Sequence, residues 1–136
     1  MRFDTKIAVI LRDDIAMWQK LNVASFLAGG LAGSDPDLVG VPYRDASGTD
    51  YGPLIRQPIL IFSATAGEIK RTHRLALERG VRLFIYTAAL FATGHDAENR
   101  AAVAAVERDA LDLVGLAFRA EKRIADKLVK GLRLHP

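Results

Sequence analysis

The sequence contains no cysteine and only three histidines, His73, His95 and His135, which lie far apart along the chain. The missing cysteines exclude disulfide bonds, thiolate metal sites and thiol nucleophiles. The histidines do not have the spacing of metal ligands. We therefore expect neither a bound metal nor a cofactor.

Long hydrophobic runs are also missing. No stretch approaches the ~18 uncharged apolar residues of a membrane-spanning helix, and "MRFDTKIAVILRDD" reaches acidic residues before any apolar run of signal-peptide length. Half of the 136 residues are hydrophobic and 26% are charged, as in an ordinary globular protein. We expect a single domain over residues 1–136, in the cytoplasm and without a membrane partner.

Four aliphatic runs alternate with helical segments. The runs are "KIAVILR", "PILIFSA", "VRLFIYT" and "LDLVGLAFR", and each is typical of a buried strand. This alternation predicts an α/β fold, a three-layer α/β/α sandwich with a mixed, roughly four-stranded sheet. Residues 34–57, rich in Gly, Pro and Asp, are expected to form a loop or hairpin insert.

The first helix, "MWQKLNVASFLAGGLAG", is expected to end on its glycines. Helical periodicity predicts that one broad apolar face packs on the sheet, formed by Met17, Leu21, Ala24, Ala28 and Leu31 and extended sideways by Val23 and Leu27. A second stripe carries an indole, an amide and a hydroxyl, from Trp18, Asn22 and Ser25. That stripe is either the wall of a pocket or a packing contact with a neighbouring element or subunit.

In open α/β sheets, ligands bind outside the carboxyl ends of the strands. In this sequence, polar residues follow the predicted strands at those ends. Arg12, Asp13 and Asp14 follow the first strand, Thr87 ends the third, and the turn Thr93–Asp96 comes shortly after it. Capping of the first helix would explain one of the two adjacent aspartates, Asp13 and Asp14, but not both. We expect a ligand site at this edge, with four binding residues: Arg12, Trp18, Asn22 and Thr87.

The same edge has residues suited to hydrolysis of an ester or amide. Lys20 could hold an oxyanion or phosphate, Asp14 or Asp96 could act as a base or orient a partner, and His95 could transfer a proton. The alternative for Asp96 is the N-cap of the third helix, with His95 merely exposed to water. No nucleophile is evident from the sequence.

The excess positive charge of the chain, +3 overall, lies at its C-terminal end. Six basic residues follow Ala117 against two acids, which leaves 13 basic and 14 acidic residues in the rest. They are Arg119, Lys122, Arg123, Lys127, Lys130 and Arg133. This segment is either the solvated face of a helix or a docking surface for an anionic ligand or tRNA.

The stretch "KIAVILRDDIAMWQKLNVAS" resembles the opening of peptidyl-tRNA hydrolase II, and "PILIFSATAGEIKRTHRLALERGVRLFIYT" and "LVGLAFRAEKRIADKLVKGLRL" resemble later parts of that family. The Trp18–Asn22 pair, "VPYRDASG" and "TGHD" are closer to a bacterial family catalogued as domain of unknown function two thousand, which is similar to the hydrolase in fold. The resemblance covers nearly the whole chain. It implies a peptidyl-tRNA-hydrolase-II-like fold and a homodimer.

The match to the hydrolase is closest at its opening motif, where Arg12, Asp14 and Met17 agree and Lys20 lies near the helix lysine. At the end of the third strand, where the hydrolase has an acid, this chain has Tyr86. A tyrosine does not act as a base at neutral pH without a large pKa shift. We therefore expect binding of a small ligand or nucleotide-linked substrate; the alternative is a peptidyl-tRNA-hydrolase-like esterase or tRNA-binding protein.

Overall fold

The computed structural model describes residues 3–136, and the elements follow the predicted alternation of strands and helices. The strands are β1 (Thr5–Arg12), β2 (Tyr43–Arg44), β3 (Asp50–Tyr51), β4 (Ile59–Ala64), β5 (Phe84–Thr87), β6 (Leu113–Glu121) and β7 (Arg133–Leu134). The α-helices are α1 (Met17–Ser34), α2 (Ala66–Glu78), α3 (Asp96–Ala104) and α4 (Lys122–Leu128). Short 3₁₀ turns lie at Pro36–Leu38, Ala88–Ala92 and Arg108–Ala110.

The main sheet is mixed and open, with the strand order β5-β6-β1-β4-β7. β1 is parallel to β4, with Val9 opposite Ile61, and antiparallel to β6, with Val9 opposite Ala117. β6 is also antiparallel to β5, so β1, β4 and β5 end at the same edge of the sheet. The prediction of an α/β fold with a mixed sheet is confirmed.

The expected number of four strands is wrong, because the C-terminal tail adds a fifth. Leu134 pairs with Phe62 of β4, and the His135 N–H donates to the Ile61 carbonyl at 2.8 Å. Two residues at the end of a chain show no periodicity, so the sequence pattern did not reveal this strand.

Two hydrophobic clusters cover the two faces of the sheet, because side chains alternate along each strand. From β1, Ala8 and Ile10 pack with the residues of α2 and α4. Ile7, Val9 and Leu11 face the other way and pack with the residues of α1. The buried faces explain why β1 is aliphatic throughout.

The face of α1 that packs on the sheet agrees with the predicted one only in part, and it is centred on the residues expected at its side. Val23, Leu27 and Leu31 are buried, whereas Met17 and Leu21 are each 63% exposed. The helix ends at Ser34, one residue beyond Gly33, the last of the glycines at which its end was predicted. The apolar residues surround α1 almost completely, so periodicity alone could not identify the inner face.

Of the N-cap residues expected for three helices, the one of α2 is confirmed and those of α1 and α3 are wrong. At α2, Thr65 with Glu68 three residues later has the sequence pattern that predicts a capping box, and Thr65 does cap the helix, with the Glu68 N–H donating to Thr65 Oγ1 at 3.2 Å. At α3 the cap is His95 rather than Asp96, since His95 Nδ1 accepts from the Glu98 N–H at 3.4 Å. At α1 the cap position is Ala16, so neither Asp13 nor Asp14 caps that helix.

The strands β2 and β3 form a hairpin within the segment 41–54, in which every residue is exposed. Asp45 holds its turn, accepting from the Thr49 N–H at 3.0 Å and from the Tyr51 hydroxyl at 2.7 Å. Gly48 has φ 83°, a conformation that glycine adopts without steric cost.

In the part of the chain that the structure describes, no helix is long and apolar enough to cross a membrane.

We predict that Gly115→Ala destabilises the protein by about 1–3 kcal/mol, because the added methyl overpacks the contact between α1 and β6. A Cβ at Gly115 would overlap Val23 Cγ1 and lie 3.1 Å from Leu27 Cδ1. Urea unfolding of the variant and the wild type measures the difference.

Gly29→Ala is the matched control, since nothing lies within 4 Å of a Cβ at that helical position. There the same substitution should stabilise the protein by roughly 0.5–1 kcal/mol, through the lower entropy cost of alanine. Equal effects of the two substitutions would contradict this account of the α1–β6 contact.

Candidate functional site

Arg12 is the central charged residue at the edge where β1 and β5 end. Its Nε donates to Asp14 Oδ1 at 2.6 Å, and its Nη1 donates to Asp112 Oδ1 at 2.5 Å and to the Leu113 carbonyl at 3.2 Å. Burial would lower the pKa of Arg12, but the hydrogen bonds and charges of Asp112 and Asp14 outweigh it and raise the pKa. Two carboxylates therefore neutralise Arg12, which ties β1 to the start of β6.

Thr87 lies at the same edge, at the end of β5. It is buried and pairs with Leu113, beside an irregularity in the β5–β6 register. The next residue, Ala88, donates its N–H to the Asp112 carbonyl at 2.9 Å. Asp112 thus joins the ends of two strands, through its side chain to Arg12 and through its backbone to Ala88.

Four aromatic side chains form a row along one side of α1. The ring centroids are 5.8 Å apart between Trp18 and Phe91, 5.2 Å between Phe91 and Tyr86, and 5.9 Å between Tyr86 and Phe26. The pair of Trp18 and Phe91 is edge-to-face, a favourable aromatic geometry. The row leads from the start of α1 to the free side of the edge strand β5.

The predicted polar stripe on α1 is exposed. Trp18 is 60% exposed, Asn22 is exposed, and the Ser25 hydroxyl donates to the Leu21 carbonyl of its own helix at 2.8 Å. Trp18 therefore contacts the aromatic row with one side of its ring and leaves the rest open.

A cavity of about 590 Å³ lies beyond this row, between α1, β5 and α3. Most of its wall is apolar or aromatic, from Phe26, Leu27, Phe84, Ile85, Tyr86, Leu90, Val103 and Ala104. Its polar residues are Asp96, Asn99 and Arg100, all on α3. An apolar hollow of this size with a few polar groups is typical of a small-molecule site.

The inner wall of the cavity is one face of α3. Its lining residues, at positions i, i+3, i+4, i+7 and i+8, have the spacing of a helix face that normally packs on a core. They are Asp96, Asn99, Arg100, Val103 and Ala104. None of the residues of α3 is buried. The face that would be packed in an ordinary helix is turned toward a hollow instead.

The polar side chains that line the cavity have different hydrogen-bond and ion-pair partners. Asp96 and Arg100 form an ion pair one helical turn apart, and Asn99 Oδ1 accepts a hydrogen bond from the Thr93 hydroxyl. Burial raises the pKa of Tyr86 above its ordinary value of 10.0. The Tyr86 side chain is therefore neutral at pH 7, and its hydroxyl can both donate and accept a hydrogen bond.

The four predicted catalytic residues have different partners. Lys20 Nζ lies 3.4 Å from His135 Nε2, Asp14 pairs with Arg12, and His95 Nε2 lies 3.0 Å from Glu98 Oε1. Asp96 pairs with Arg100 and is the one member of the four that lines the cavity. No hydrogen bond or ion pair among the described residues joins any two of these four.

The basic C-terminal segment is only partly available to a ligand. Arg119 lies in β6, and its guanidinium donates to both carboxylate oxygens of Asp37 at 3.2 and 2.9 Å. These hydrogen bonds raise the pKa of Arg119. The exposed cations of the segment are Arg123, Lys127, Lys130 and Arg133, in or after α4.

Within residues 3–136, no three histidine or carboxylate side chains lie close enough together to hold a metal ion.

The sequence reasoning did not identify the cavity. It selected Asp96, but not Asn99 or Arg100 on the same face of α3, nor Phe26 on α1. The available signal was the helical spacing from Asp96 to Ala104. That spacing predicts an inward face without saying whether the space opposite it is filled.

Comparison with known proteins gives a family but no activity. No curated protein matches the chain. Among solved structures, a protein of unknown function from Agrobacterium tumefaciens strain C58 is 45% identical to it, with a TM-score of 0.97. The alignment covers 99% of this chain and 100% of that protein.

The family described as "Protein of unknown function (DUF2000)" matches residues 5–136, which include every strand and helix described above. The expected membership in this family is therefore confirmed. The chain belongs to the DUF2000 family, whose function is unknown.

Proposed function

We propose that the protein binds a small molecule in the cavity between α3 and the edge strand β5. The observation that carries the proposal is that the inward face of α3 lines an open hollow of about 590 Å³. Leaving apolar surface unpacked forgoes stabilisation of about 25 cal/mol per Å². A ligand that fills the hollow recovers that free energy.

The lining residues define the chemistry of the ligand. Phe26 and Phe84 offer surfaces for an apolar or aromatic body, and Tyr86 offers a hydroxyl. Arg100 uses one guanidinium nitrogen in its ion pair with Asp96, so its remaining N–H groups and the Asn99 amide offer donors to an acidic or phosphate group. A nucleotide-linked molecule, with a base against the aromatic wall and a phosphate at Arg100, fits this description.

The cavity opens beside the predicted strand-end edge. Tyr86 and Thr87 are the last residues of β5, and Asp96 begins α3 after one short turn. We infer that Arg12, with its two carboxylates, holds the strand ends in place. Trp18 and Thr87 support the wall through Phe91 and Tyr86, and Asn22 remains a binding residue at the exposed rim.

We predict that 8-anilino-1-naphthalenesulfonate, an aromatic anion whose fluorescence rises in apolar sites, binds the native protein in this cavity with 1:1 stoichiometry. Ala104→Trp should weaken binding by more than about tenfold, because an indole overfills the site at a cost of roughly 1–3 kcal/mol. Fluorescence titration measures both affinities. A panel of mononucleotides and aromatic acids, screened by thermal shift, then searches for the natural ligand.

Ala101→Trp is the matched control, since Ala101 is exposed on the same helix and does not line the cavity. It should bind the dye as the wild type does. Equal weakening by both substitutions, or no saturable binding to the native protein, would remove the proposal.

A second candidate function is hydrolysis of a peptidyl-tRNA-like ester on a fold like that of peptidyl-tRNA hydrolase II. The observation that favours it is Lys20, a half-buried side chain on α1 next to His135 of the C-terminal tail. A lysine so placed can stabilise the negative charge that develops on an ester oxygen. In this function Asp14 and the His95–Asp96 turn would orient the substrate.

For this second function, we predict release of tRNA from peptidyl-tRNA by the native protein. Lys20→Met should slow the release by about 10²–10³-fold, the usual cost of losing an oxyanion donor. Lys6→Met, in β1 and outside the basic C-terminal segment, is the charge-matched control. Absence of release by the native protein, or an equal loss in the two variants, would exclude Lys20 from this role.

We further propose that two copies of the chain associate through the exposed face of α1. This face carries Met17, Trp18, Leu21, Asn22, Ser25 and Phe26 and has no charged residue. The single charge in α1, Lys20, is turned to His135. A symmetric dimer presents the same surface from both partners, and exposed apolar patches of this kind mark such interfaces.

For the dimer, we predict that Leu21→Arg shifts the protein to a monomer in sedimentation velocity. Burying an unpaired charge at an interface costs several kcal/mol. Leu77→Arg, at an exposed position on α2, should leave the association unchanged, because α2 covers the opposite face of the sheet. A monomeric wild type, or dissociation by both substitutions, would contradict the proposal.

A further inference from the structure

A second hollow, the α2 cleft, lies between α2 and the turn Arg108–Ala110, on the face of the sheet opposite α1. It consists of two adjoining spaces of about 300 and 340 Å³. The residues common to both are His73, Arg74, Arg108 and Asp109. Lys70 and two leucines complete one space, and Leu77 and Glu78 complete the other.

His73 is the buried polar residue of this cleft. It is 7% exposed, and no hydrogen bond to a described residue is among the causes that shift its pKa. His73 lines both spaces of the cleft, so its imidazole ring can contact a ligand there.

The cleft has more positive than negative charge. Its cations are Lys70, Arg74 and Arg108, and its carboxylates are Asp109 and Glu78. The two ion pairs are long: Arg74 Nε lies 3.9 Å from Glu78 Oε1, and Arg108 Nε lies 3.7 Å from Asp109 Oδ1. Both distances exceed a hydrogen bond, so the guanidinium donors are not fully engaged.

We propose that the α2 cleft binds the phosphate group of a small molecule, held between Lys70, Arg74 and Arg108 with His73 at its floor. Guanidinium groups offer paired donors that match the geometry of phosphate oxygens. The cleft is concave, has no Phe, Tyr or Trp among the described residues of its wall, and is small for a nucleic acid strand. These features favour a small phosphomonoester over RNA. The site is separate from the α3 cavity and does not depend on the function proposed for it.

Proton binding by His73 reports on the occupancy of the cleft. Burial lowers the pKa of His73 below its ordinary value of 6.5, the charge of Arg108 lowers it further, and Asp109 acts in the opposite direction. The charged groups facing it are those of Lys70, Arg74, Glu78, Arg108 and Asp109. A bound dianion stabilises the imidazolium, so it raises the pKa, and by linkage it binds more tightly as the pH falls.

Sulfate is the first probe, because it remains a dianion while the histidine titrates. The imidazole signals are followed by NMR over pH in sodium sulfate and in sodium chloride of equal ionic strength, with His73→Gln used to assign the signal. We expect saturable sulfate binding to raise the pKa of His73 by about one unit, which corresponds to tenfold tighter binding to the protonated form. The signals of His95 and His135 serve as internal references.

Arg108→Gln should abolish the sulfate-induced shift, and it should raise the pKa of His73 in chloride because a repelling charge is gone. Arg71→Gln removes a charge from the same helix outside the cleft and should keep the sulfate-induced shift. A shift that does not saturate, or that survives Arg108→Gln, would indicate general screening and overturn the proposal.

Competition distinguishes the source of the phosphate. Inorganic phosphate and a sugar phosphate should displace radiolabelled sulfate from the native protein in equilibrium dialysis. A short RNA that competes better than the sugar phosphate, at equal phosphate concentration, would reassign the cleft to nucleic acid and overturn the proposal as stated.

Discussion

The close contact between α1 and β6 determines the arrangement of this protein. At Gly115 the absence of a side chain lets Val23 and Leu27 rest directly on the strand. This contact sets the rotation of α1 about its axis. It leaves Leu21 exposed, turns Lys20 toward the C-terminal tail, and places Phe26 over the edge strand β5. The exposed face of α1 and the α1 wall of the cavity beside α3 both follow from that rotation.

The sheet edge at β5 shows how unpacked surface becomes a binding site. An edge strand usually needs a cover against association with other chains. Here α3 stands off from β5 and leaves a hollow of about 590 Å³ between them. Tyr86 and Phe26 supply its apolar wall, and Arg100 supplies a charge. The same absence of packing makes α3 the helix with no buried residue and gives it the least tertiary support.

The charged residues fall into two kinds according to their partners. Arg12 and Arg119 are largely buried, and aspartates at hydrogen-bond distance neutralise them, so they connect elements of the fold. Arg74 and Arg108 have only long ion pairs and surround a buried histidine. The position of an arginine in the sequence does not show to which of these two kinds it belongs. The difference arises from which carboxylate the fold brings near each guanidinium, and it decides which cations can bind a ligand.

The sequence by itself determined the α/β class, the mixed sheet, the capping box at Thr65 and the family, because strand and helix periodicity and local motifs are encoded within a few neighbouring residues. Only the tertiary structure decided the inner face of α1, the fifth strand at Leu134 and the cavity beside α3. Each of these depends on contacts between residues far apart in sequence. Local periodicity shows that a surface is apolar, but the long-range packing decides whether that surface is covered, left open, or turned toward a ligand.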